Sequence, residues 1–136
     1  MAYWLVKSEP GGWSWEDQVK AGTTNWDGVR NPQAGNFMKA MRKGDRVFFY
    51  HSGEERRIVG VVEVVTEFYP DPKDASGRSG MVDVKTVKPL PKPVTLAAIK
   101  AEPKLKDLLL VRQSRLSVMP IDAGSWKQLS RMGGLT

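Results

Sequence analysis

Residues 57 to 66, Arg-Ile-Val-Gly-Val-Val-Glu-Val-Val-Thr, form the longest β-branched run in the chain, and no other stretch limits the fold so tightly. β-Branched side chains resist helical backbone and pack well on a pleated surface, so this run is expected to be a central strand. Gly60 interrupts it. A glycine inside a strand marks a bulge or a tight bend, as needed where a sheet curls toward a barrel.

The flanking patterns supply its neighbours. Arg46-Val-Phe-Phe-Tyr-His51 is β-branched and aromatic and reads as a strand, joined by a hairpin loop at Ser52 to Arg56. Met81 to Val87 alternates apolar and polar residues, so it reads as a strand with one wet face, which Pro89-Leu-Pro-Lys-Pro93 is expected to end. Tyr3 to Val6 is a further strand, and Leu116 to Met119 a short one stopped by Pro120. Helices are expected between them. Ser14 and Asp17 have capping-box spacing ahead of a short helix closed by Gly22, with Trp13 placed to staple its start. Asn31 caps and Pro32 opens a second helix carrying Phe37, Met38 and Met41, ended by Gly44. Thr95 starts a short helix through Ile99; Leu105, Leu108 and Leu109 suggest another helical turn or two; and Asp122 caps a closing helix with Trp126 and Leu129 on one face. With few parallel crossovers, the pattern predicts an α+β domain: a curled, mostly antiparallel barrel-like sheet flanked by short helices.

At 136 residues, without repeats or a dividing linker, the chain reads as a single domain, 1–136, able to bury a core. It has no cysteine, which removes disulfides, thiolate nucleophiles and Cys-type zinc sites. The N-terminus has no basic leader and only a short apolar run, so the expected compartment is the cytoplasm, with no membrane association. A monomer is expected. The net charge is +6, concentrated between Lys73 and Arg115, where ten basic residues face four acidic ones. Such an excess favours polyanions such as nucleic acid, and equally describes a soluble basic surface. Arg78 and Arg115 are candidate phosphate contacts.

Residues 25 to 52 hold polar and aromatic groups more densely than packing demands. Asp27-Gly28 suits a tight turn, so Trp26 is expected on a loop, where an indole could stack on a flat heterocycle whose edge needs fixed donors and acceptors. On composition alone, however, Trp26 reads as core, since most tryptophans are largely buried. Catalytic patterns are missing: there is no Gly-x-x-x-x-Gly-Lys loop, no Gly-x-Ser-x-Gly elbow and no His-Glu-x-x-His, and His51 is the only histidine. No catalytic residue, metal or cofactor is therefore expected.

Tyr3-Trp-Leu-Val-Lys-Ser-Glu-Pro10, Trp13-Ser-Trp15, Trp26-Asp-Gly-Val-Arg-Asn31, Gly44-Asp-Arg-Val-Phe-Phe-Tyr-His-Ser52 and Arg115-Leu-Ser-Val-Met-Pro120, in that order, resemble the EVE domain family. The resemblance spans nearly the whole chain. It implies a PUA-like fold related to YTH domains, and a non-enzymatic reader of modified bases in nucleic acid, with methylated or hydroxymethylated cytosine in DNA foremost. Carried over by motif, it implies a pocket of Lys7, Ser8 and Glu9 beside the base, Trp26 as an aromatic wall, Asn31 and Asn36 as amides, and His51, Ser52, Arg115, Leu116 and Ser117 closing the far side. On this basis Trp26 moves from core to site. Two other readings use the same residues: a binder of a free base, nucleoside or similar small heterocycle, and a small hydrolase or nuclease accessory built on His51 and Ser52.

Overall fold

The β-branched run lies in the middle of the sheet, inside a strand longer than its own ten residues. In the computed structural model, which describes residues 1–76 and 79–135, the elements are β1 (Tyr3–Ser8), α1 (Trp15–Ala21), β2 (Thr23–Trp26), α2 (Pro32–Ala40), β3 (Arg46–His51), β4 (Arg57–Pro70), β5 (Gly80–Thr95), α3 (Leu96–Ala101), a 3₁₀ turn (Pro103–Leu105), α4 (Leu109–Arg112), β6 (Val118–Ile121) and α5 (Ala123–Met132). One six-stranded sheet has the order β2-β5-β4-β3-β1-β6. Among the described residues β1 and β3 alone pair in parallel; the other neighbours are antiparallel. The class is α+β as expected, but the strand order is open and the sheet is not closed into a barrel.

The sheet nevertheless curls. Between β4 and β5 the register slips at Ile58/Gly60, Val61/Val62, Val64/Thr66 and Thr66/Tyr69, and each slip adds local twist. Gly60 has a second reason to be glycine: a Cβ there would lie 2.4 Å from the ring of Trp15, so α1 docks on bare backbone. Phe49 gathers the aromatic side of this contact, meeting Trp15 at 5.3 Å and Trp26 at 5.4 Å between ring centroids, both edge-on. On α5, Trp126 stacks on Phe48 at 3.8 Å and on Tyr3 at 4.5 Å, fixing the closing helix to β1 and β3.

Caps fall where the side chains predict them. Ser14 and Asp17 form the reciprocal capping box, Asn31 accepts from the Ala34 N–H, and Asp122 from the Ser125 N–H. Three expectations need correction. Trp26 does not stand on a loop: Thr23-Thr-Asn-Trp26 forms β2, an edge strand paired with Lys85 to Val82 of β5. β5 does not stop at Pro89 but runs through Pro91 and Pro93 to Thr95, because the prolines stand at every second position and face solvent while Leu90 and Val94 point inward. Between them the Lys92 N–H donates to the Gly133 carbonyl at 3.0 Å. β6 likewise passes Pro120, whose exposed position on this edge strand needs no ladder hydrogen bond.

Candidate functional site

In strand order, β3, β4 and β5 separate β1 from β2. Flat, that would be roughly 19 Å at the usual strand spacing. The curl brings the two together across the gap that the sheet leaves unclosed, and there they line one cleft of about 550 Å³. Lys7, Ser8 and Glu9 come from the end of β1; Thr24, Asn25 and Trp26 from β2; Asp27, Gly28, Val29 and Arg30 from the turn after it; Gly12 and Trp13 from the loop before α1; and Ser117 from the approach to β6. Gly28 has φ 75°, a conformation that favours glycine and turns the chain back over the opening.

The walls are held by hydrogen bonds from outside the cleft. The Lys7 N–H donates to the Ser117 carbonyl at 2.9 Å and its ammonium to the Ser114 carbonyl at 2.8 Å, with the same ammonium 5.6 Å from the Tyr50 ring centroid. Burial pushes the Lys7 ammonium below its ordinary pKa. Ser8 Oγ donates to the Trp13 carbonyl at 2.5 Å, and the Glu9 carbonyl accepts from the Gly12 and Trp13 N–H groups at 2.9 Å each. The Trp13 indole N–H donates to Oε1 of the fully buried Gln18 at 3.0 Å, and the Gln18 amide nitrogen in turn donates to the Gly22 carbonyl at 3.3 Å. Trp26 is 8% exposed and backed edge-on by Phe49. Two tryptophans are thus rigid walls, while the side chains of Glu9, Asn25, Asp27 and Arg30 make no hydrogen bond or ion pair among the described residues. The cleft offers flat apolar surface, two carboxylates, an amide and two cations to whatever enters it.

Of the residues anticipated from sequence, Lys7, Ser8, Glu9, Trp26 and Ser117 meet here. Trp26 closes a strand and belongs to the core, so it is not loop-borne. Asn31, Arg115 and Leu116 line a separate, neighbouring cleft of about 290 Å³, where the Asn31 side-chain oxygen Oδ1 accepts from the Ala34 N–H at 3.0 Å. Asn36 lies exposed on α2 and lines neither cleft. His51 is buried behind the wall: Nε2 accepts from the Trp15 N–H at 2.9 Å, so Nδ1 carries the proton and donates to Glu55 at 2.9 Å. That bond, with Arg57 beside it, holds the Glu55 carboxyl below its usual pKa. With both ring nitrogens engaged, His51 pairs with neither Ser52 nor Ser117, and the Ser52 N–H only extends the pairing of β3 with β1 by donating to the Ser8 carbonyl at 2.9 Å. Arg78 lies outside the described residues. Sequence reasoning missed Trp13, Thr24, Asn25, Asp27, Val29 and Arg30 as lining residues. A signal was present: Thr-Thr-Asn-Trp directly after Gly22 has strand composition, and a strand there would have delivered the following turn to the site.

Among the described residues no helix is long and apolar enough to cross a membrane. A match to the EVE domain covers residues 2–132. Thymocyte nuclear protein 1 from Homo sapiens is 36% identical over 159 residues, covering 88% of this chain and 68% of that protein; the Gallus gallus protein is 38% identical, with 63% of its length covered. Among solved structures, that of Rpa0253 from Rhodopseudomonas palustris is 57% identical with a TM-score of 0.95, covering 99% of this chain and 94% of the other. The human THYN1 protein, in complex with 5-methylcytosine containing DNA, is 33% identical with a TM-score of 0.88, covering 98% of both chains. A YTH domain at 19% identity and TM-score 0.59 shares the fold.

Proposed function

We propose that this chain, which belongs to the EVE domain family, reads a modified base in nucleic acid, methylated cytosine foremost, by holding it in the cleft between β1 and β2. One observation carries the reading: Lys7-Ser8-Glu9, Trp26 and Ser117, from three distant parts of the chain, converge on one cleft of about 550 Å³. A cavity of that size suits a small planar ligand. The binding of 5-methylcytosine containing DNA by the human relative supports the choice of ligand.

The chemistry follows from what the walls offer. A base stacked on an indole gains about 1–3 kcal/mol whatever its identity, so Trp26 and Trp13 supply affinity and contact the added methyl group. Identity comes from the edge. The Glu9 or Asp27 carboxylate accepts from the exocyclic amine of cytosine, while Asn25, Arg30 and Lys7 donate to its ring nitrogen and carbonyl. A base inside a duplex cannot reach these groups, so it enters unpaired or flipped. Arg115, exposed at the neighbouring cleft, takes a backbone phosphate. The protein binds its ligand without turnover.

Equilibrium titration with matched oligonucleotides bearing 5-methylcytosine, 5-hydroxymethylcytosine or cytosine tests this, with free 5-methyl-2′-deoxycytidine as a fourth ligand. A preference for a modified strand over the plain one is expected. Equal affinity for all strands contradicts the reading, and a free nucleoside that binds as tightly as the strand favours a small-heterocycle binder.

A further inference from the structure

We infer that the second cleft, lined by Asn31, Gln33, Arg112, Gln113, Ser114 and Arg115, is a subsite for the nucleotide adjacent to the base that is read. The inference rests on the reading of the first cleft and extends it to a ligand of two nucleotides. The two clefts are lined by sequence neighbours. Arg30 lines the first and Asn31 the second; Ser117 lines the first and Ser114 to Leu116 the second. The Lys7 ammonium, at the first cleft, donates to the Ser114 carbonyl at 2.8 Å and so ties the dividing loop in place. A strand leaving the first cleft over the Arg30–Asn31 boundary or the Ser114–Ser117 loop meets the second cleft next.

Its donors match a nucleotide and not a bare anion. Arg115 has no ion-pair partner among the described residues, and Arg112 is held only by Asp107 at 2.6 Å, a pair exposed on both sides and therefore weak and exchangeable for a phosphate. Two guanidiniums take a phosphodiester in bidentate fashion. Gln33 and Gln113 keep their side-chain amides free among the described residues, and Asn31, with its oxygen committed to the Ala34 N–H, has only its amide nitrogen left to donate. Amides paired with an arginine fork are what the edge and the phosphate of one unpaired nucleotide require. The cleft, of about 290 Å³, has room for a base.

The test compares the nucleoside 5-methyl-2′-deoxycytidine with dinucleoside monophosphates that add deoxyadenosine on its 5′ or 3′ side. One of the two dinucleotides should bind at least roughly tenfold tighter than the nucleoside, the least expected from a hydrogen bond to a charged group. Arg112→Ala and Gln33→Ala, both at exposed positions, should each reduce that gain, whereas Lys127→Ala, which removes the same charge from α5, should not. Nucleoside and dinucleotides of equal affinity overturn the second subsite while leaving the first intact. A gain that persists when the added nucleoside is an abasic sugar, or that falls equally with Lys127→Ala, also overturns it, since the cleft then takes charge and not a nucleotide. Absence of binding by every ligand overturns both clefts.

Discussion

Trp26 is wall and core at once, and that limits how it can be tested. At 8% exposure and edge-on to Phe49, it is expected to cost about 3–5 kcal/mol of stability as Trp26→Ala, read by chemical denaturation. Trp26→Phe keeps most of the packing and is the variant in which selectivity for the modified base should fall while the fold persists. His51 differs: both ring nitrogens serve neighbours behind the wall, so its side chain was legible from sequence as polar but not as structural. Tyr69 offers a pH test. Its hydroxyl donates to Asp83 at 2.6 Å, and that bond, with carboxylates nearby, pushes its pKa from 10.0 up to about 12. A raised folded-state pKa means that the stabilisation is fully present below pH 10.0 and is lost as pH rises toward about 12. Tyr69→Phe should therefore be less stable than the parent at neutral pH, with the gap closing in alkali; a gap independent of pH would show that the hydroxyl bond contributes nothing.

At the scale of elements, the contact between α1 and β4 is the sharpest. Gly60→Ala places a methyl 2.4 Å from the Trp15 ring, so about 1–3 kcal/mol of overpacking is expected, and the shift of α1 would move Trp13 with it. Combining it with Trp15→Leu should cost less than the sum of the single changes, as contacting residues do; strict additivity would deny the contact. The glycine was legible as a break in a strand, but the ring that needs it was not, since Trp15 and Gly60 are far apart in sequence. Caps at Ser14, Asn31, Thr95 and Asp122 were legible because each is a local hydrogen bond. β2 and the proline-bearing half of β5 were not, because pairing with a distant strand overrode local turn and breaker signals.

Across the whole molecule, periodicity and β-branching predicted a curled α+β sheet, and the curl is what makes the site. Its incomplete closure was beyond local pattern, since whether β2 meets β6 depends on register slips summed along the sheet. The cleft occupies that opening, which explains why residues of three motifs converge there while His51 and Asn36 do not. Electrostatics act at this scale too. On single strands, log affinity should fall with log salt by about 0.7 per phosphate contact, so Arg115→Ala should flatten the slope by that amount for modified and plain strands alike. An unchanged slope would remove Arg115 from the phosphate path. The most direct measurement of the central claim is a nuclear magnetic resonance titration with an oligonucleotide carrying one 5-methylcytosine. The indole signals of Trp13 and Trp26 and the amides of residues 7–9, 24–30 and 117 should shift, while the Trp126 indole, carried by α5 and stacked on Phe48, stays in place. Shifts centred on α5, with the Trp13 and Trp26 indoles unmoved, would contradict the account.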